Sequence, residues 1–493
     1  MKKVIIIGSG FSGLSSACFM AKAGWDVTVV EKHPAAGGRA RQLTTAGFTF
    51  DMGPSWYWMP DVFERFFSCF GKKVSDYYQL QRLDPSYRIY WPQSVMNVPA
   101  SYAELQQLFE TLEPGSAAKL DIFMQEAAYK YQVGISKLVF KPGQSLLEFA
   151  DADLVKGLFK LDVFTSIRKH IHKLFKHPQL RQLLEFPVLF LGALPQDTPA
   201  LYSLMNYADI KLGTWYPQGG MYKIVSAMQQ LATELGVKFM FNSNATQIII
   251  QNGKAKQLKI NNAGQELLLD ADVIIGSADY HFIESALLPQ QYRSYTDAYW
   301  NKRVMAPSCL LYYVGINKKL NNLLHHSLFF DVDFEQHGAE IYTQPNWPTN
   351  PLFYVSATSL TDDTVAPPGH ENLFFLIPVA TGLKGDTEAL RDAFFEKILQ
   401  RFEQQLGQDV KPHIVYKQSY SVSNFIADYN SFKGNAYGLA NTLRQTAILK
   451  PALKSKKVDN LFYTGQLTVP GPGVPPSLIS GEVVCNEVLK KYG

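Results

Sequence analysis

Gly8, Gly10 and Gly13 stand at the spacing a backbone needs to wrap around a pyrophosphate. Gly8 permits a tight turn, Gly10 lets backbone N–H groups approach the phosphates, and Gly13 lets the following helix close on the preceding strand. Glu31, about twenty residues on, offers a carboxylate to both hydroxyls of an adenosine ribose and repels a 2′-phosphate. The chemistry is that of FAD or NAD, and not NADP. A second constellation closes the chain: Pro470, Gly471, Pro472, Gly473, Pro475 and Pro476 form a rigid loop ahead of a helix expected over Ser477 to Leu489. Such a loop sets backbone N–H groups and a positive dipole end beside an anionic acceptor; its bland reading is a tight connection. Trp56, Tyr57 and Trp58 are a third candidate, either lining a ligand site or packing in a core.

These residues need elements to hold them. Val4 to Ile7 is a β-branched run typical of a strand buried on both faces of a parallel sheet, Leu14 to Lys22 reads as the helix after the glycine turn, and Trp25 to Val30 as the second strand. Further on, helices are expected over Asp61 to Lys72, within Tyr102 to Tyr131, and over Tyr222 to Leu235. Strands are expected within Ser86 to Val98 and at Val237 to Phe241. Thr246 to Ile250, Lys254 to Ile260 and Glu266 to Leu269 suggest an antiparallel meander with an Asn252-Gly253 turn. Ala271 to Asp279 adds a buried strand with a small-small-Asp ending. Runs at Cys309 to Val314, Leu352 to Ala357 and Asn372 to Pro378 predict a second sheet flanked by the helix Glu388 to Leu406. His325-His326 cannot both face one ligand on a regular element and reads as a loop or surface pair. No catalytic triad and no metal spacing stands out.

With 493 residues the chain is too long for one core, and two intertwined domains are expected. A formal net charge of +4 argues against nucleic acid as the main partner. Cys18, Cys69, Cys309 and Cys485 are scattered, as reduced thiols of a cytosolic protein would be. Met1-Lys2-Lys3 leads straight into the first strand, so no signal segment is expected, and no apolar run reaches the length of a membrane span.

The charge is nonetheless uneven. Between residues 154 and 181, Lys156, Lys160, Arg168, Lys169, Lys173, Lys176 and Arg181 face Asp162 alone. If Phe164 to Lys176 is one helix, Phe164, Ile167, Ile171, Leu174 and Phe175 gather on one side of it. The apolar run Phe186 to Leu191 follows. The expectation is a basic amphipathic segment lying on an anionic membrane, with Arg168, Lys169, Lys173 and Lys176 on headgroups; the alternative is a core helix with a solvated charged face.

Gly37-Gly38-Arg39 after Glu31 resembles the extended ADP-binding motif of flavoproteins with two dinucleotide-binding domains. Asp51-x-Gly53-Pro54, Pro217-x-Gly219-Gly220-Met221 and Thr468-x-Pro470-Gly471-x-Gly473-Val474-Pro475 join it. In order and spacing these resemble a bacterial carotenoid desaturase of the phytoene-desaturase type, with amine-oxidase relatives, over essentially the whole chain. The resemblance implies an α/β fold: an FAD-binding Rossmann-like domain (1–90, 211–285, 426–493) interleaved with an α+β substrate and membrane domain (91–210, 286–425). It implies FAD held by Gly8, Gly10, Phe11, Ser12, Gly13, Glu31, Lys32, Gly38, Arg39, Ala40, Gly53, Pro54, Ser55, Ala245, Asp279, Gly465, Gln466, Gly473, Val474 and Pro475, with Trp56, Tyr57 and Trp58 toward substrate.

It further implies an enzyme on the inner face of the cell membrane that draws a hydrophobic polyene to the flavin and removes a hydride and a proton. Electrons would pass to oxygen or a quinone. No catalytic base is nominated. Val469 and Pro476 depart from the His and Gly common in the family's last motif, leaving a phytoene-like substrate or a later carotenoid desaturated at the 3,4 bond both open. A flavin amine or protoporphyrinogen-type oxidase, a carotenoid isomerase or saturase, and a flavin-free lipid-binding relative are the alternatives.

Overall fold

The computed structural model describes residues 1–145, 148, 162, 164–442 and 445–493. Its amino-terminal β-branched run forms the central strand, Lys3–Ile7, of a five-stranded parallel sheet. Asp26–Val30 and Val273–Gly276 flank it, with Ile5 opposite Thr28 on one side and Ile274 on the other. Lys238–Met240 and Leu461–Tyr463 complete the edges. Strands from the beginning, middle and end of the chain thus share one sheet, and the glycine turn emerges where the order reverses, the place such sheets bind ligands.

The helix after the turn, Phe11–Lys22, begins three residues earlier than the periodicity suggested, because the glycine turn itself supplies its cap at Gly10. It is covered by the carboxy-terminal helix Val474–Tyr492, where a Cβ on Gly481 would lie 2.6 Å from Ser15 Cβ. The expected meander forms from Ser243–Gln251, Lys254–Asn262 and Gln265–Asp270, and Asn252 and Gly253 both take positive φ in its turn.

A seven-stranded sheet forms the second layer, in the order Ile414–Tyr420, Ser308–Ile316, Glu371–Val379, Phe353–Ser356, His326–Phe329, Tyr87–Trp91, Ser94–Val98. All its pairings are antiparallel except His326–Phe329 with Tyr87–Trp91. The helix Glu388–Leu406 buries Phe395, Ile398, Leu399 and Phe402 against one face.

Two sequence expectations are corrected here. The basic helix spans only Ile167–Leu174, capped by Ser166, whose hydroxyl accepts from Lys169 N. Phe164 lies outside it and is 84% exposed, while Ile167, Ile171 and Phe175 are buried in the main core. The apolar face is therefore taken up by the protein and is not available to acyl chains. Arg168 is also engaged, donating to Glu335 Oε1 at 2.6 Å and Glu185 Oε2 at 3.3 Å. Lys169, Lys173 and Lys176 remain exposed; Lys156 and Lys160 lie outside the described residues. Secondly, His325 and His326 are not a surface pair. Both are buried, at 5% and 0% exposure, because His326 opens a strand in the middle of the seven-stranded sheet. Among the described residues, no helix is long and apolar enough to cross a membrane.

Candidate functional site

Gly8, at φ +99°, turns the chain so that its N–H donates to Val30 O, tying the glycine turn to the second strand. Glu31 at the end of that strand is buried and fixed: Oε2 accepts from Ser9 N at 2.9 Å and Ser9 Oγ at 2.7 Å, and Oε1 accepts from His33 N at 2.9 Å. The helix Phe11–Lys22 has no side-chain cap and no acid in its first turn, so its leading N–H groups are left for an external anion.

Two glycines show what that anion needs. A Cβ on Gly13 would collide with the Gly8 carbonyl, whereas one on Gly10 would meet nothing within 4 Å. Gly13 therefore serves helix–strand closure and does not line the cavity, while Gly10 leaves an open cradle.

Around the cradle the sequence-predicted residues converge. Gly37 N–H donates to Ser9 O, and Gly38, at φ +55°, backs onto Gly10. Arg39 donates from Nη2 to Ser431 Oγ at 3.0 Å and Asn435 O at 3.2 Å and lies 5.2 Å from the Tyr429 ring; its buried Nε has no partner among the described residues. Burial lowers the Arg39 pKa and raises that of Asp279, and each partly offsets the other by attraction. Lys32 donates to Ala427 O at 2.9 Å, and the Gln466 amide lies 2.8 Å from that of Asn435. Ser12 Oγ meets Ser277 Oγ at 2.8 Å, and Gly465 N–H donates to Ser480 Oγ at 3.0 Å.

Apart from Gly13, the residues expected to hold the cofactor line one cavity of about 450 Å³: Gly8, Gly10, Phe11, Ser12, Glu31, Lys32, Gly38, Arg39, Ala40, Gly53, Pro54, Ser55, Ala245, Asp279, Gly465, Gln466, Gly473, Val474 and Pro475. At the carboxy-terminal loop Gly473 begins the last helix without a side-chain cap. Pro475 and Pro476 carry no N–H, so the donors of this turn reduce to Gly473 and Val474, fewer than the Gly/Pro pattern suggested.

Beyond the polar end, the same cavity continues between Trp56, Trp58, Phe186, Leu189, Leu328, Phe330, Leu352 and Leu376. Trp58 Nε1 donates to Thr214 Oγ1 at 2.8 Å, and Trp56 stacks on His326 at 4.1 Å and 11°. Tyr57 does not line it: fully buried, it stacks on Phe63 and shares a 3.0 Å hydrogen bond with Tyr78. Of the three expected aromatic residues, the strand-like alternation sends Trp56 and Trp58 to the cavity and Tyr57 to the core.

Sequence reasoning also missed Tyr429 and the strand residues Leu328 and Tyr354. Tyr429 ends the short helix Val422–Tyr429, which carries no fingerprint, and the other two look like ordinary strand residues, so only their packing against distant segments brings them to the cavity. Asp51 is not a lining residue. Its buried carboxylate accepts from Met221 N at 2.6 Å and Tyr222 N at 3.0 Å; burial pushes it up to about 6 despite those donors.

Outside the cavity Glu126, Asp162 and His170 come together. Lys130 Nζ, 2.8 Å from Asp162, already supplies the positive charge there. Cys18, Cys69, Cys309 and Cys485 are free thiols.

The model of the family described as flavin containing amine oxidoreductase matches residues 11–489. The chain is 40% identical over 489 residues to a carotenoid 3,4-desaturase of Haloarcula japonica, covering 99% of this chain and 98% of that one. It is 30% identical over 501 residues to a 4,4′-diapophytoene desaturase (4,4′-diaponeurosporene-forming) of Staphylococcus aureus, covering 99% of each. Its fold is shared with an oxidoreductase from Methanosarcina mazei, with a TM-score of 0.63 at 16% identity over 99% of this chain and 100% of that one. The chain belongs to the flavin containing amine oxidoreductase family. It is an FAD-dependent oxidoreductase. The open cradle at Gly10, the uncapped helix and the unpartnered Arg39 Nε fit the pyrophosphate of that cofactor.

Proposed function

We propose that this enzyme is a carotenoid desaturase that forms a C=C bond in a long polyene, with the 3,4 bond of a late carotenoid as the preferred substrate site. The observation that carries the reading is the continuity of one cavity from the glycine turn and Glu31 into an apolar limb lined by Phe186, Leu189, Leu328 and Leu376. A small polar amine gains little from such a limb, whereas an apolar polyene end gains by burial there. The 40% identity to a carotenoid 3,4-desaturase supports the choice of bond.

Bound FAD supplies a hydride acceptor, with oxygen or a quinone as the final oxidant. The chain's own residues do the rest. The first turn of Phe11–Lys22 and Arg39 bind the pyrophosphate, and Glu31 takes the ribose hydroxyls. Trp56 and the apolar limb hold the polyene in line and exclude water, so that positioning supplies much of the rate. The remaining residues of the cavity's polar end, named above, are taken as FAD contacts, and the domain boundaries given above as the division between the two layers, with the first moved ahead of the strand Tyr87–Trp91, which belongs to the second sheet.

We further read the exposed Lys169, Lys173, Lys176 and Phe164 as the surface that meets an anionic membrane, through charge and not through the buried face of the helix. The test is expression with phytoene, lycopene, γ-carotene or a 1′-hydroxycarotenoid and identification of products by chromatography and absorption. Conversion of a late carotenoid supports the reading; no new double bond in any of them overturns it.

A further inference from the structure

The polyene reaction releases a proton as well as a hydride, and the structure holds a place for it. Tyr354 lines the cavity, and its phenol oxygen lies 2.6 Å from Nδ1 of the fully buried His326. The hydroxyls of Ser356 and of Ser55, the latter a cavity residue, also act on the phenol oxygen. With a serine hydroxyl donating to that oxygen, the phenol proton is left for the imidazole.

We propose that Tyr354 and His326 form the proton-accepting relay of the desaturation, a role that rests on the carotenoid-desaturase reading. One C–H bond of the substrate gives up its hydrogen as a hydride to FAD, leaving a cation delocalised over the polyene. The neighbouring C–H bond then breaks. Its electron pair becomes the new π bond, its proton bonds to the Tyr354 oxygen, and the phenol proton passes to His326 Nδ1. The charge ends on His326, where the Trp56 ring, stacked at 4.1 Å and 11°, receives an imidazolium on its face.

The buried histidine that lines the cavity itself is built differently. His337 uses both ring nitrogens, with Nε2 on Pro378 O at 2.9 Å and Nδ1 accepting from Leu352 N at 3.0 Å, and so has no site left for a relayed proton. His326 Nε2 has no partner among the described residues, and His325, 4.4 Å away, is held through Nδ1 by Thr361 Oγ1 at 2.8 Å. Burial and His325 keep His326 well below the usual histidine range, so it rests neutral. A weak base suffices for a C–H beside a carbocation, and it returns its proton readily.

The test compares wild-type holoenzyme with Tyr354→Phe and His326→Gln on the carotenoid it converts, in H₂O and after equilibration in D₂O. Expected for both variants are unchanged flavin absorbance and KM and a kcat lower by about 100-fold, the lower range for general acid–base catalysis. The wild-type solvent isotope effect on single-turnover formation of the desaturated product is expected to vanish in Tyr354→Phe. In substrate-free protein, the ¹⁵N signal of an imidazole nitrogen accepting a hydrogen bond should disappear in the same variant. A wild type that converts its carotenoid with no solvent isotope effect, or a Tyr354→Phe variant that keeps full kcat, overturns the relay alone. A wild type inactive on every carotenoid overturns the desaturase reading and the relay with it. If Tyr354→Phe does not fold, His326→Gln and the wild-type isotope effect decide.

Discussion

Asp51 Oδ2 accepts the Met221 N–H at 2.6 Å across 170 residues of sequence, joining the Asp-x-Gly-Pro turn to the Pro-x-Gly-Gly-Met turn. With Tyr222 N on Oδ1, the carboxylate caps the helix Tyr222–Glu234, which has no cap of its own. Gly220, at φ +95°, is needed beside it, since a Cβ there would stand 2.8 Å from Asp51 Oδ2. Asp51→Ala is therefore expected to cost about 1–2 kcal/mol, as the loss of a helix cap does. Thermal unfolding of the purified variant measures it; an unchanged Tm refutes the clamp.

Gly10 and Gly13 are expected to separate binding from folding. At Gly10, where φ is −72° and a Cβ meets no protein atom, Ala should leave the fold intact and reduce FAD retention, because the methyl occupies the cradle. At Gly13 the methyl meets the Gly8 carbonyl, so Ala should impair folding itself. Circular dichroism and the flavin absorbance of each variant distinguish the two, and a Gly10→Ala protein that stays fully yellow contradicts the assignment.

Asp209 provides a pH dependence. Burial pushes its carboxyl up to about 6, partly countered by Tyr87 and Thr214, whose hydroxyls donate at 2.6 and 3.2 Å. The unfolded chain loses this proton near pH 4 and the folded one near pH 6. Over that window the folded state binds more protons, so stability falls as pH rises. A shift of this size corresponds to about 2–3 kcal/mol. Asp209→Asn, which cannot ionise and keeps one hydroxyl donor on its amide oxygen, should flatten the Tm profile between pH 4 and 6; an unaltered slope counts against it.

Replacing Lys169, Lys173 and Lys176 with Glu should release the protein from anionic vesicles and leave its flavin content unchanged. Each lysine near such a surface contributes about 1 kcal/mol. Co-sedimentation equal to that of the wild type removes these residues from the membrane surface.

Much of this protein was legible in its sequence wherever function depends on local backbone geometry. The Gly8 turn, the strands on either side and Glu31 lie within a few residues of the groups they serve, and glycine spacing specifies them directly. The Asn252-Gly253 turn and the helix Glu388–Leu406 were legible for the same reason, through turn chemistry and periodicity. The basic helix shows where such reasoning stops. Its apolar period is real, but a period tells only that Ile167 and Ile171 are buried, and not whether a membrane or the protein's own core buries them.

Residue order and type alone thus determined a dinucleotide cradle at the amino terminus, its companion loop at the carboxy terminus and the two kinds of sheet between them. Tertiary structure decided the rest: that Tyr57 faces inward, that Asp51 clamps a helix, and that His326 meets Tyr354 on a neighbouring strand beneath Trp56. The reason is physical. Turns and periods are encoded over a few residues, whereas the company a buried side chain keeps depends on which distant strands become neighbours in the sheet.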